Sequence, residues 1–278
     1  MREVALAPHL DSARYGADAE RSGSFAAIDR AAAQLPGLIL FQEAWGVDAH
    51  IEDVTRRFAR AGYAVLAPDL FARHGQRRAG LERPRLAEAQ ALLNSLPSGS
   101  WRDPAARAHA EAAFGAEAAA RIDETLGSLF SPGGPLAAEQ HLPAAHAALA
   151  YLQETQPRTR GAKIATIGFC MGGAVSALVG CREPAVAVSL VFYGSSPAPA
   201  EAAHAGHIVG FYGANDAHVN PTIAPFETAM RDAGRPFEVQ MYEGAGHAFF
   251  NDNRPSYHAS ASRHAFATAL DVLVQAIG

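Results

Sequence analysis

Cys170, Asp216 and His247 are the residues of this chain whose types and spacing could do nucleophilic chemistry together. Cys170 is the centre of Gly168-Phe169-Cys170-Met171-Gly172-Gly173, between an apolar run and a stretch of small residues. A Gly-x-nucleophile-x-Gly string sets its central residue on a sharp strand-to-helix turn, where bulky neighbours would collide. Gly168 and Gly172 relieve that crowding, and Ala174 and Ala177 let the following helix pack closely. A thiol at a helix start sees the positive end of the helix dipole, which favours the thiolate. The same helix start offers the backbone N–H of Met171 to a developing oxyanion. A buried cysteine that merely packs at a tight turn would carry the same string, so the partners decide between the two.

Such a turn calls for the chain order nucleophile, acid, histidine. Asp216 ends Gly213-Ala214-Asn215-Asp216, just past the apolar run 207–212, and His247 ends Glu243-Gly244-Ala245-Gly246-His247, just past the run 237–242. Both would lie at the carboxyl edge of a parallel sheet, where α/β proteins build their sites. Each separation leaves room for one strand–helix unit. Alone, Asp216 could be a turn former and His247 a surface loop residue; order and placement together favour the triad. Other histidines, His218 and His258 among them, lack comparable strand-end context. With no His-Glu-x-x-His string and no paired ligands at helical spacing, no metal is expected. Cys181 lies further along the same helix, about 16 Å away at 1.5 Å per residue. That exceeds the roughly 7 Å limit for a disulfide, so a packing role is expected. No resolving cysteine neighbours Cys170 to suggest redox chemistry.

The elements that must position these residues follow from the hydrophobic pattern. The run 38–41 suits a strand buried on both faces. Residues 49–61 read as a helix with Ile51, Val54, Phe58 and Ala61 on one face, stopped at Gly62. A strand over 64–67 closes a strand–helix–strand unit of a parallel sheet. Residues 25–28 suit an earlier strand, and 1–20 carry no clear pattern. From 71 to 135 the rhythm breaks. This Ala- and Arg-rich segment, with turn clusters at 96–100 and 131–135, predicts helices near 86–94, 104–116 and 118–129. It is expected to be a helical insertion within one α/β domain spanning 1–278; an exposed hairpin without function is the alternative. The rhythm then resumes: helix 142–153, strand 163–168, helix 171–180, strands 185–192 and 207–212, helix 221–233, strand 237–242 and helix 257–277.

Net charge is −5, with pI near 6.2 and no basic patch, which argues against nucleic acid as a partner. No run of about 18 apolar residues predicts a membrane span. The opening residues lack a basic region followed by an apolar core and do not read as a signal peptide. Two cysteines give no disulfide framework, and a reducing, cytoplasmic location is expected.

Four strings carry a resemblance: Gln42-Glu43-Ala44-Trp45-Gly46-Val47, Ala67-Pro68-Asp69-Leu70-Phe71-Ala72-Arg73, Gly168-Phe169-Cys170-Met171-Gly172-Gly173, and Gly246-His247-Ala248-Phe249. From about Phe25 to the end, outside the 71–135 segment, the sequence resembles the dienelactone hydrolase family. The resemblance implies an α/β-hydrolase fold and cofactor-free opening of a small ester or lactone of the carboxymethylenebutenolidase type. It leaves the oligomeric state open. It also implies that Glu43 contacts the resting thiol and helps deprotonate it, that the N–H groups of Ala44 and Met171 form the oxyanion hole, and that Arg73 binds a substrate carboxylate. By residue type alone Glu43 is as readily a helix cap or a salt-bridge partner. The family's second substrate-binding arginine falls four residues after the histidine, where this chain has Asn251; Arg254 lies three residues further. The 71–135 segment is longer than in compact members. These departures predict weak activity on dienelactone itself and better activity on neutral or bulkier esters and lactones, unless Arg254 restores the second contact. A general carboxylesterase or thioesterase is the nearest alternative. A non-catalytic α/β-hydrolase relative that binds a ligand or partner is the more distant one.

Overall fold

The computed structural model describes residues 10–14, 25–29, 34–73, 76–96, 100 and 103–278, with 10–14, 25–29 and Arg73 described by their backbone. In chain order the strands and helices are β1 (Leu10–Arg14), β2 (Phe25–Asp29), β3 (Gly37–Phe41), α1 (Ala49–Arg60), β4 (Ala64–Ala67), and the short β5 (Ala72–Arg73) and β6 (Gln76–Arg77). Next come α2 (Arg83–Ser95), α3 (Pro104–Ala112), α4 (Ala116–Leu129), α5 (Leu142–Ala150), β7 (Ile164–Phe169) and α6 (Met171–Arg182). The chain continues with β8 (Val186–Phe192), β9 (Ile208–Gly213), α7 (Ile223–Asp232), β10 (Phe237–Tyr242) and α8 (Ala259–Ile277).

The main sheet runs β1-β2-β4-β3-β7-β8-β9-β10. From β4 to β10 every neighbouring pair is parallel, while β1 and β2 add an antiparallel edge. This is the mostly parallel α/β sheet the hydrophobic runs predict. Every residue of β3, β4 and β7 is buried, because helices cover both faces, and this is why those strands read as unbroken apolar runs. Alternate residues serve opposite layers. Leu38 and Leu40 of β3 join Val54 and Phe58 of α1 and Ala265 and Leu273 of α8. Ile39 and Phe41 join the layer on the other side. Strand β1 and the β5–β6 hairpin were not foreseen: β1 lies in the polar stretch without clear pattern, and each hairpin strand is two residues long.

The helices of the 71–135 segment pack on that second layer. Leu86 and Leu92 of α2 and Ile122, Leu126 and Leu129 of α4 belong to one apolar cluster with Ile39, Phe41 and Leu66 of the sheet. The helix expected over 104–116 ends at Ala112, and α4 begins at Ala116 after Gly115. Arg121 reaches Glu88 at 2.7 Å and Arg85 pairs with Glu124, tying α4 to α2. Such partly exposed pairs add little stability each; burial of the shared apolar cluster contributes more. A shared core predicts shared unfolding. Leu129→Ala, at a fully buried position, should cost about 2–5 kcal/mol. It should lower a single calorimetric transition of the whole chain. A separate early transition confined to the helical segment would show that α2–α4 fold apart from the sheet.

Candidate active site

Strand β7 delivers the chain into a turn at Cys170, whose φ is 55° and ψ −117°. A non-glycine residue there is strained by roughly 1–3 kcal/mol and needs its surroundings to hold it. The surroundings are backbone. Cys170 N–H donates to the Phe192 carbonyl at 3.0 Å, at the end of β8. A Cβ at Gly168 would fall 1.8 Å from the Gly172 carbonyl oxygen, and one at Gly172 would fall 2.3 Å from the Phe41 carbonyl oxygen. The two glycines flanking the cysteine therefore let the turn sit against the ends of β3 and β8, with Cys170 capping α6.

Asp216 follows β9 and His247 follows β10, so both reach the same sheet edge as Cys170. The buried Asp216 carboxylate accepts from the N–H groups of His218 and Val219 through Oδ1, both at 3.2 Å. Its Oδ2 lies 2.6 Å from His247 Nδ1. That contact puts a proton on Nδ1 and turns Nε2 towards Cys170 Sγ, 3.1 Å away. The structure thus brings the three sequence-selected residues into one hydrogen-bonded line. Burial works against the charged form of Asp216, but the His247 hydrogen bond and charge and the two backbone N–H groups outweigh it, lowering its pKa below 3.8. Burial likewise works against the His247 imidazolium. The charge of the Cys170 sulfur and the hydrogen bonds from Asp216 and Cys170 overcome it and hold the pKa well above 6.5.

Glu43 is buried beside this line, but its partners differ from those the resemblance implies. Its Oε1 accepts from Tyr193 Oη at 3.0 Å and its Oε2 from Asn251 Nδ2 at 2.8 Å. The thiol's hydrogen-bond partner is His247 instead. Asn251 is fully buried, so the side chain at the second-arginine position binds Glu43 rather than facing a substrate. Tyr193 escaped the sequence reading, although it directly follows β8 at the same carboxyl edge, which is the signal that could have found it. Its ring stands edge-on to His247, 5.3 Å between centroids, and it is buried at φ 41°. Burial, then the charge of Glu43, raises its phenol pKa well above 10.

Among the described residues, the N–H groups of Ala44 and Met171 donate to no protein acceptor. The β5 backbone places Arg73 after the Asp69 turn, and its side chain lies outside the described residues. The Asp69 turn itself is fixed by Arg77, whose Nε meets Asp69 Oδ2 at 2.7 Å. Arg254 stacks over Trp45 with its guanidinium carbon 5.7 Å from the ring centroid. Its Nε is buried without an acceptor, and among the described residues no carboxylate pairs with it. Cys181 is buried on the inner face of α6, and burial pushes its thiol pKa up to about 12. Among the described residues no cluster of three or more His, Cys, Asp or Glu could hold a metal, and no helix is long and apolar enough to cross a membrane.

A mostly parallel sheet flanked by helices, with a cysteine on the strand–helix turn and its partners on later strand ends, defines an α/β-hydrolase fold. The family model of the dienelactone hydrolase family matches residues 23–277, and the chain belongs to that family of hydrolases. A protein of Saccharolobus solfataricus assigned as a carboxymethylenebutenolidase is 28% identical over 231 residues, covering 82% of this chain and 85% of that one. One of Escherichia coli K12 with the same assignment is 26% identical over 249 residues, covering 85% and 76%. A crystal structure from Klebsiella pneumoniae assigned as a dienelactone hydrolase superposes with a TM-score of 0.63 at 25% identity, covering 91% of this chain and 92% of that one.

The His247 shift is directly measurable. In the folded protein its imidazole should titrate well above 6.5, so the imidazolium persists at neutral pH and is lost only as pH rises further. Cys170→Ala removes a raising influence and leaves burial in place, so the pKa should fall. Imidazole proton shifts followed by NMR across pH 5–9 (on the order of two units either side of an ordinary histidine) test this. A His247 pKa unchanged by Cys170→Ala would mean that the sulfur and the ring are not coupled.

Proposed function

We propose that this protein opens a small ester or lactone by acyl transfer through Cys170. The observation that carries this reading is the line Asp216 Oδ2–His247 Nδ1, 2.6 Å, and His247 Nε2–Cys170 Sγ, 3.1 Å, set on a strained strand–helix turn. The Cys170 sulfur attacks the carbonyl carbon, and the carbonyl oxygen takes negative charge against the N–H groups of Ala44 and Met171. His247 gives a proton to the departing alkoxide or enolate, leaving a thioester. It then takes a proton from water, whose oxygen attacks the thioester and releases the acid. Asp216 keeps His247 in the productive tautomer and stabilises its charged form. The names of the relatives favour a lactone as the natural substrate class, and no cofactor enters any step.

Cys170→Ala should abolish turnover of p-nitrophenyl acetate and of lactones. His247→Ala should lose roughly 10³-fold or more, and adding Asp216→Ala should cost little further, because such groups act as a unit. Limiting iodoacetamide, read by peptide mass spectrometry, should label Cys170 and spare Cys181, whose thiol burial keeps protonated. Near-normal turnover in His247→Ala would remove the histidine from the mechanism.

Arg254 favours a particular substrate charge. With Asn251 engaged by Glu43, Arg254 is the described cation at the site that lacks a carboxylate partner, and it lies over Trp45, the residue that follows Ala44. A substrate carboxylate meeting it in a partly dry pocket would gain about 1.5–3 kcal/mol, or roughly ten- to a hundredfold in affinity. This supports Arg254 as the second anionic contact, against the neutral preference that Asn251 alone suggests. The expected outcome is a higher kcat/KM for a carboxylated lactone than for its methyl ester, with the preference reduced by that factor in Arg254→Ala. Equal rates on acid and ester in the wild type would restore the neutral-substrate expectation.

A further inference from the structure

Three separate segments must agree in position for the proposed reaction: the loop after β3, which carries Ala44; the end of β8, whose Phe192 carbonyl holds the Cys170 N–H; and the loop after β10, which carries His247. One carboxylate touches all three. Glu43 directly precedes Ala44. Its Oε1 accepts from Tyr193, the residue after Phe192, and its Oε2 accepts from Asn251, in the loop that begins at His247. Both donors are fully buried. Asn251 is itself fixed, because its Oδ1 accepts from Asn253 N–H at 3.0 Å and so points Nδ2 at Glu43. The α6 start presses on the same place, since a Cβ on Gly172 would meet the carbonyls of Phe41 and Gln42.

We infer that Glu43 is a positioning residue and not the base that deprotonates Cys170: with Tyr193 and Asn251 it forms a buried tie that fixes the Ala44 N–H against the Cys170 turn and the His247 loop. The inference rests on Cys170 being the nucleophile. Each Glu43 oxygen is held by a buried donor, and the sulfur faces His247. A proton leaving Cys170 therefore goes to His247 Nε2, and Glu43 neither gains nor loses one.

The two roles separate in one set of variants. Glu43→Gln removes the carboxylate a base needs but can keep both anchors: with its Oε1 accepting from Asn251 Nδ2, its Nε2–H donates to the Tyr193 hydroxyl oxygen, which accepts as well as donates. Glu43→Ala removes the carboxylate and both anchors. Turnover of p-nitrophenyl acetate is measured beside the pH dependence of Cys170 alkylation by iodoacetamide, a displacement that needs the thiolate but no oxyanion site. Glu43→Ala should lower kcat on the order of 100-fold with KM little changed, as for a misplaced oxyanion donor. Glu43→Gln should recover most of it. The alkylation profile should stay that of the wild type in both. An alkylation profile shifted by Glu43→Gln, or turnover as low in Glu43→Gln as in Glu43→Ala with both folded by circular dichroism, would overturn the inference. If either variant does not fold, Tyr193→Phe decides. It keeps the carboxylate and removes one anchor, so kcat should fall roughly tenfold with alkylation unchanged; an unchanged kcat would overturn the tie. Failure of the underlying reading looks different: alkylated Cys170 or Cys170→Ala would retain turnover.

Discussion

Everything in the site hangs on one backbone turn held where an ordinary residue resists going. Cys170 sits at φ 55° because main chain on either side leaves it no other course: the Phe192 carbonyl takes its N–H, and Gly168 and Gly172 allow backbone contacts no side chain could survive. The strain is small beside the burial of β3, β7 and β8, whose apolar residues anchor both walls of the turn. The result is a sulfur raised at the sheet edge, at the start of α6, with its position decided by packing rather than by its own contacts.

Two buried carboxylates meet this turn, and their surroundings divide their work. Asp216 receives two backbone N–H groups on one oxygen and the imidazole on the other, so it is saturated only when His247 presents a proton. That arrangement lowers the Asp216 pKa and raises the His247 pKa, and it couples both to the sulfur. Glu43 receives two neutral donors, a phenol and an amide, each buried and each with one way to point. Asp216 faces an imidazole that can gain or lose a proton, while Glu43 faces no such group. The two acids thus differ in their partners more than in their burial.

The sequence makes the central sheet legible because strands covered on both faces need unbroken apolar runs, and the runs at 38–41, 64–67 and 185–192 have few other uses. Asp216 was legible for a related reason, since it follows the buried run of β9, and His247 because it follows the next strand of the sheet, the half-exposed edge strand β10, in a glycine-rich loop, and strand ends at one edge must converge. What stayed hidden is what depends on three-dimensional neighbours. Strand β1 is an antiparallel edge whose sequence, Leu-Asp-Ser-Ala-Arg, has no unbroken apolar run, and the β5–β6 hairpin is too short for any periodicity. Tyr193 falls just past a strand that ends at 192, and only its hydroxyl partner reveals its use. The partners of Glu43 were equally invisible, since a glutamate after a strand gives no hint that a tyrosine 150 positions later will meet it.

Asn251 shows how a single residue type redistributes charge around a site. An arginine at that position would bring a cation to Glu43, and a cation is free to trade one carboxylate for another when a substrate carrying one arrives. A neutral amide offers no such exchange: Asn251 gives an N–H to Glu43, takes one from Asn253, and carries no charge to trade. The positive charge then has to come from elsewhere. Arg254 ends the turn that Asn251 begins, its N–H donating to the Asn251 carbonyl at 3.1 Å, and its guanidinium lies across Trp45 with a buried Nε still unpaired. Aromatic stacking steadies a guanidinium without neutralising it. If Arg254 meets the substrate carboxylate as proposed, fixing Glu43 and supplying the positive charge are separate tasks, done by two residues of one loop.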